Sequence, residues 1–182
     1  MNPFPKRLVP ILILGAALAS CGKKPIEEAV QKNDRNAVSD AVSQGADVNT
    51  KLSGGDTPLL AAAKAGQSSA AQGLIENGAD IRVKDAEGFS VLHHAAATGM
   101  TGICNLLLDR GLAIDDKGPG GVTALHLAVA KNRQETAKFL VRHGASLDVK
   151  DDAGANAIDV ATRIGEERFA NDLKFAAQMR TK

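Results

Sequence analysis

The sequence predicts an all-α solenoid of about five stacked helix-turn-helix repeats, joined by short projecting β-hairpin loops and preceded by a cleaved signal peptide. Glycines recur at a step of 33 residues in two columns: Gly55, Gly88, Gly121, Gly154 and Gly45, Gly78, Gly111, Gly144. Apolar residues keep the same step in a third column: Leu59, Leu92, Leu125 and Ile158. Three columns in one register indicate a repeated supersecondary unit.

The composition fits one ordered domain. The 182-residue chain is 44% hydrophobic and 24% charged, but it holds no Trp, no Tyr and only five Phe. The buried surface must therefore come from Leu, Ile, Val and Ala, which suits closely packed small helices. The formal charge of +1 becomes −1 without residues 1–20, because these hold Lys6 and Arg7 and no acid. No nucleic acid is expected as a partner, since the basic footprint of such binding is missing.

The first residues of the chain have the pattern of a secretory signal. Met1 to Arg7 is short and basic, and the apolar run from Leu8 to Leu18 is too short to span a membrane, which takes roughly twenty residues. The sequence that follows resembles the lipobox of bacterial lipoproteins: Leu18, Ala19, Ser20 and Cys21. That resemblance implies a signal peptide at 1–20, a lipid on Cys21 and a short linker over 21–24. An ordinary signal peptide with a coincidental cysteine is the alternative.

The residue after Cys21 bears on the location of the protein. In lipoproteins of two-membrane bacteria an Asp at this position favours retention in the inner membrane, and here the residue is Gly22. The resemblance therefore implies a lipid-anchored protein of the bacterial envelope, at the outer membrane and facing the periplasm. Several acyl chains hold a protein at a membrane essentially permanently, whereas one holds it only marginally.

Each 33-residue unit reads as turn, short helix, turn and longer helix. In the third unit Ser90 precedes a helix expected over 91–98, Gly99 breaks it, and a second helix is expected over 102–110. Gly111 then supplies the left-handed conformation that ends that helix. Apolar residues of this unit are expected in a core shared with its neighbours: Leu92, Leu106, Leu107 and Leu108.

The period divides the chain into five approximate repeats: 25–51, 52–84, 85–117, 118–150 and 151–178. The first is degenerate and starts almost directly after Cys21. In the fifth, Lys174 follows Leu173 where earlier repeats hold two apolar residues. Because one helix pair cannot bury its own apolar face, neighbouring repeats must stack, and a repeat with a polar outer side can end the stack.

Short segments of the repeats resemble the ankyrin family. The segments GDTPLLAA at 55–62 and GVTALHLA at 121–128 are similar to the start of an ankyrin repeat, and GADVN at 45–49 and GADI at 78–81 are similar to its end. The resemblance covers about residues 25–178. It implies binding of a partner protein through the hairpin tips and the concave face of the first helices.

The positions that match the family's binding surface are Asp56, Lys64, Glu87, Phe89, Ala97, Thr98, Val122, Lys131, Ala155 and Arg163. Phe89 and Val122 are apolar where the fold does not require it, and exposed aromatic residues often anchor a partner. Partial burial against the next hairpin is the other interpretation of both. Four lysines also repeat at the same step and are expected in a row on the hairpins, as a solvated face or a groove for an acidic partner: Lys51, Lys84, Lys117 and Lys150.

The adjacent His93 and His94 raise the alternative of a metal or haem site. Neighbouring residues on a helix point about 100° apart, and His93 and His126 occupy equivalent places in successive repeats, roughly 8–10 Å apart. They cannot ligate one zinc ion together. In ankyrin repeats a histidine after the leucine hydrogen-bonds neighbouring backbone, which the resemblance implies for His93 and His126.

Other chemistry has little support in the sequence. Cys104 shares its column with Ala71, Ala137 and Ala170, so a packed free thiol is expected there. The motifs of zinc proteases, serine hydrolases, Walker loops and dinucleotide sites are missing. We therefore expect no catalytic residue, no metal site and no cofactor.

Together these observations predict a monomeric, membrane-anchored protein-binding module that is not an enzyme. The resemblance to lipoproteins with ankyrin repeats implies an accessory protein to an envelope or oxidative-stress enzyme. The alternative is an immunity protein that neutralises a secreted toxin such as a phospholipase. From other classes come a metal or haem carrier using His93 and His94, and a passive scaffold.

Overall fold

The computed structural model describes residues 25–180, so the predicted signal peptide and Cys21 lie outside the described residues. Within that range the chain forms ten α-helices: α1 Pro25–Gln31, α2 Arg35–Ser43, α3 Pro58–Lys64, α4 Ser68–Glu76, α5 Val91–Thr98, α6 Thr101–Asp109, α7 Ala124–Ala130, α8 Gln134–Arg142, α9 Ala157–Arg163 and α10 Glu167–Arg180. A short 3₁₀ turn, Pro119–Gly121, precedes α7. None of the helices between residues 25 and 180 is long and apolar enough to cross a membrane.

The helices stack in two layers. Each first helix packs on the next first helix, in the order α1, α3, α5, α7, α9, and each second helix on the next second helix, in the order α2, α4, α6, α8, α10. Helices of one pair also contact each other, so a single apolar core runs through all five pairs. The predicted all-α repeat solenoid is confirmed.

The apolar column of the first helices forms the centre of this core. Leu59, Leu92 and Leu125 are at most 2% exposed. Ile158 is only half-buried, because α9 packs on α7 but on no later first helix in the described part of the chain. In the third repeat Leu107 is fully buried, whereas Leu106 and Leu108 lie half-buried at the edge of the core.

A glycine ends the second helix in each of the first four repeats. Gly45, Gly78, Gly111 and Gly144 have φ between +84° and +111°, the left-handed region that glycine enters at little cost. The equivalent residue of the fifth repeat is Ala177, and there the helix continues. This explains why α10 has 14 residues and α8 has nine, and why α10 passes the boundary expected at residue 178.

The loops between repeats are tight turns with little β structure. Each turn is closed by a hydrogen bond from a backbone N–H group to the carbonyl oxygen of the residue four positions later. The donor and acceptor residues are Leu52 and Asp56, Asp85 and Phe89, Gly118 and Val122, and Asp151 and Ala155. Among the described residues the only β-bridge joins Lys84 and Ser90. The projecting hairpins are therefore present as turns, with one of them carrying a bridge.

Candidate functional site

Three columns of residues on the first helices face solvent. Residues at i, i+3 and i+4 share a side of a helix, and here that side is half-buried or exposed in four successive helices. We call this surface the first-helix face. It consists of Ala61, Lys64 and Ala65 on or directly after α3, His94, Ala97 and Thr98 on α5, Leu127, Ala130 and Lys131 on or directly after α7, and Val160, Arg163 and Ile164 on or directly after α9.

Asp85 organises the part of this surface between α3 and α5. Its side chain is 0% exposed. The carboxylate accepts hydrogen bonds from His94 Nε2 at 2.8 Å and from the backbone N–H groups of Phe89 at 2.8 Å and Glu87 at 3.1 Å. Lys64 Nζ of the preceding repeat lies 3.3 Å away. The buried Asp85 carboxylate therefore connects its own loop, helix α5 and Lys64 of the preceding repeat.

These contacts keep Asp85 ionised. Burial favours the neutral acid and would raise its pKa, but the hydrogen bonds from His94, from the Phe89 N–H group and from Lys64 lower the pKa to about 2. Burial would likewise lower the pKa of Lys64, and its hydrogen bonds to Asp56, at 2.9 Å, and to Asp85 raise it. Asp56 and Lys64, both predicted to bind a partner, are therefore already paired within the chain.

Phe89 is half-buried against the neighbouring loop. Its ring makes edge contacts with His93 and His94, at centroid distances of 5.8 and 6.0 Å. Gly118 of the next loop approaches so closely that a Cβ there would lie 3.2 Å from the Phe89 ring. Val122 is half-buried as well. Each residue leaves part of its apolar surface in solvent, so neither is a fully exposed anchor.

Two histidines connect successive repeats. His93 Nδ1 accepts from the Ser90 N–H group, and Nε2 donates to Val122 O at 3.1 Å in the next loop. His126 repeats the arrangement, with Thr123 on one side and, at 3.3 Å, the carbonyl oxygen of Ala155 on the other. Burial lowers the pKa of His93, and the bond to Val122 opposes that only in part. The expected backbone bonds of both histidines are confirmed.

The same geometry bears on the metal or haem alternative. Both ring nitrogens of His93 already have protein partners, and His94 Nε2 bonds to Asp85. Within residues 25–180 no group of three or more His, Cys, Asp or Glu side chains is placed to hold a metal ion. Cys104 is fully buried, as its column predicts, and burial raises the pKa of its thiol to about 12.

The remaining predicted binding residues divide into two groups. The Thr98 hydroxyl donates to backbone carbonyl groups, including Ala63 O of the previous repeat, and Glu87 is an exposed loop residue. Lys131 and Arg163 are exposed and make no side-chain hydrogen bond or ion pair with any residue of the described range. The free cations of the first-helix face therefore lie on its α7 and α9 part.

The predicted lysine row is exposed, but the side chains of three of its four members have local partners. Lys84 Nζ lies 3.3 Å from Asp116, and Lys117 Nζ donates to Lys150 O at 2.8 Å. Lys51 also takes part in an interaction within the chain. These contacts use part of the charge locally, which favours the interpretation of the row as a solvated face.

Sequence reasoning overlooked Asp85 as an organising residue. The signal was an Asp three residues before a column glycine, in Asp85 to Gly88 and Asp151 to Gly154, which is typical of a side chain that caps its own turn. Leu127, Val160 and Ile164 were also overlooked. Their spacing from Leu125 and Ile158 along each helix could have placed them on the solvent side.

A family model described as ankyrin repeats, in three copies, matches residues 26–118 and again residues 60–151. The two matches together cover more than half of the chain. A comparison with curated proteins gives no match.

Proposed function

The chain belongs to the ankyrin-repeat family, and on that basis we propose that it is a protein-binding module tethered to a bacterial envelope membrane by a lipid on Cys21. Ankyrin repeats generally mediate protein–protein binding and are typically not enzymes. A stack of repeats supplies an extended surface in which neighbouring units present equivalent side chains. The partner is then a protein that lies along the first-helix face and the adjoining loops.

One observation carries the binding part of this proposal. Four successive helices present the same three columns to solvent above one continuous core. The histidine bonds from His93 to Val122 and from His126 to Ala155 hold successive repeats in fixed register. Such a surface is preorganised, so a partner orders few side chains when it binds.

The tether rests on the sequence of residues 18–21 and on the short distance to the first helix. α1 begins at Pro25, so residues 22–24 can span only about 10 Å when extended. A lipid on Cys21 would keep the solenoid close to the bilayer. Gly22 after the cysteine favours the outer membrane, with the solenoid in the periplasm.

The tether is tested by replacing the acceptor residue. Cells that produce the wild-type chain or Cys21→Ala are labelled with radioactive palmitate, and the immunoprecipitated protein is assayed. We expect label in the wild type and none in Cys21→Ala, with unchanged circular dichroism because Cys21 lies outside the ten described helices. Label that persists in Cys21→Ala would exclude lipidation at this residue.

The binding surface is tested by replacing small residues with larger, uncharged ones. Ala97→Gln combined with Ala130→Gln adds two side chains to adjacent helices of the first-helix face without changing charge and with only a small loss of helix-forming tendency. Partners are captured from detergent-solubilised membranes and identified by mass spectrometry. We expect partner recovery to fall about tenfold. The control is Ser69→Gln, an exposed residue of α4 in the second layer, and equal recovery from both variants would contradict the assignment.

The identity of the captured protein separates the possible roles. An envelope enzyme of oxidative-stress defence supports the accessory role, and a secreted phospholipase supports the immunity role. Metal analysis of the purified protein separates these from the carrier. Bound metal that disappears when His93 and His94 are both replaced, with the fold unchanged, would favour the carrier instead.

A further inference from the structure

We propose that the α7 and α9 part of the first-helix face binds a segment of the partner protein in which apolar side chains are flanked by carboxylates. This inference rests on the proposed protein-binding function and adds the chemistry of the partner. We call the surface the C-terminal patch, and it consists of Leu127, Lys131, Val160, Arg163 and Ile164 from that face together with Val122 in the loop before α7.

The apolar component of the patch is exposed more than the fold requires. Leu127 and Val160 are half-buried at equivalent places of α7 and α9, and Ile164 is 43% exposed. Ile164 is one of three exposed large hydrophobic side chains in residues 25–179, and all three lie between residues 164 and 179. The equivalent places in the second repeat hold only Ala61 and Ala65.

The cationic side chains of the patch have no ion-pair partner in the described chain, and a comparison of two repeats explains why. Arg163 lies three periods after Lys64, so the two cations occupy the same place in their repeats. Lys64 pairs with Asp56 and Asp85. Ala155 occupies the place of Asp56 in the fifth repeat, and no carboxylate of the described chain pairs with Arg163.

Nearby acids are committed to other contacts. Asp159 accepts from the Asn156 N–H group at 3.0 Å and caps α9, and Glu166 accepts from the Asn132 side chain at 2.9 Å. Lys131 and Arg163 therefore remain available to carboxylates that come from outside the chain. Charge complementarity points to an acidic partner segment rather than to a basic one.

The spacing of the patch fits one amphipathic segment. Leu127 on α7 lies four residues before Lys131, which directly follows that helix, and Val160 on α9 lies four residues before Ile164, which directly follows α9. Packed helices lie roughly 8–10 Å apart. A segment laid across both helices can place an apolar side chain between Leu127 and Val160. Carboxylates on either side of it then reach Lys131 and Arg163.

The salt dependence of binding follows from this division. Exposed ion pairs contribute little energy and are screened at physiological salt, where the Debye length is about 8 Å. The apolar contacts are not screened in this way. We therefore expect binding that weakens with added salt but persists, and a preference for acidic over neutral flanks that narrows as salt is added.

The test uses synthetic amphipathic helical peptides of about 20 residues that share one apolar face and carry Glu, Gln or Lys on both flanks. Binding to the full protein, purified in detergent, is measured by fluorescence anisotropy. We expect the Glu peptide to bind about tenfold more tightly than the Gln peptide, and the Lys peptide more weakly than either. Equal affinities of the Glu and Gln peptides would overturn the proposal.

Charge reversal supplies the matched variants. Lys131→Glu combined with Arg163→Glu should invert the preference in favour of the Lys peptide, whereas Lys64→Gln, at the paired equivalent position, should leave it unchanged. A charge-reversed protein that still prefers the Glu peptide would also overturn the proposal. If partner capture responds to Ala97→Gln and Ala130→Gln but not to this reversal, the protein-binding function stands and only the acidic partner is excluded.

Discussion

The second and fifth repeats carry a cation at the same helix position, but only the cation of the second repeat is paired with carboxylates of the chain. Lys64 is held between Asp56 and Asp85, whereas Arg163 has no partner in the described chain. The helices that carry these residues are equivalent, and the difference lies in the loops. Loop residues thus decide whether a helix charge stabilises the stack or stays available for recognition.

The largest effect we expect tests whether both regions share one core. Leu125 is 0% exposed in α7, between the two regions. Leu125→Ala should destabilise the protein by roughly 2–5 kcal/mol through lost burial and a residual cavity. Urea unfolding followed by circular dichroism measures this. A midpoint within error of the wild type would show that the two regions do not meet at Leu125.

Removal of the buried carboxylate should weaken the paired region specifically. Asp85→Asn loses the charged bonds to Lys64 and His94, and we expect a loss on the order of 2 kcal/mol. Asp151→Asn is the matched control, because Asp151 caps its loop through Ala153 and Ala155 N–H groups without any cation. Equal destabilisation by the two variants would mean that the ion pairs of Asp85 contribute nothing.

The free energy of unfolding should also depend on pH through Asp85. The pKa of Asp85 is about 2 in the folded protein, below the ordinary value of 3.8. Its contribution is therefore complete above about pH 4 and is lost as the pH falls towards 2, on the order of 2 kcal/mol in all. In Asp85→Asn the stability should fall less over this interval, as measured by urea unfolding at each pH. An identical fall would assign the acid sensitivity to other groups.

The smallest effects distinguish the two cations themselves. Lys64→Gln should cost about 0.5–1 kcal/mol, because it removes a partly exposed charge from two carboxylates. Arg163→Gln should change the free energy of unfolding by less than about 0.5 kcal/mol, since that side chain has no partner to lose. Urea midpoints of the two variants make the comparison, and a larger loss at Arg163 would reverse it.

The period of 33 residues was enough to predict the stacked helices, because each column repeats one structural requirement. The buried Cys104 thiol follows from such a column. The helix expected over 91–98 follows from Ser90 and Gly99 at its ends, and the His93 and His126 bonds are what the resemblance to ankyrin repeats implies. A lipid on Cys21 stays a prediction, since that residue lies outside the described part of the chain.

The structural details that the sequence analysis did not predict lie where the repeats differ from one another. The Lys64–Asp85 ion pair does not recur, because the equivalent pairs of positions in other repeats are Gln31 and Leu52, Ala97 and Gly118, and Ala130 and Asp151, so no periodic signal predicts it. Ile158 is less buried than its column suggests because its helix has a first-helix neighbour on one side only in the described range. The extra length of α10 could have been predicted, since Ala177 stands in the column of turn glycines.

That alanine limits how such a chain can lengthen by tandem duplication of its gene. A copied block of 33 residues from the interior brings its own turn glycine and its own loop-closing bond, so it meets equivalent junctions on both sides. A copy appended after α10 lacks the glycine turn that would let the chain reverse direction, because Ala177 continues the helix. New repeats are therefore accommodated in the middle of the chain, and each insertion carries the C-terminal patch further from the first repeat.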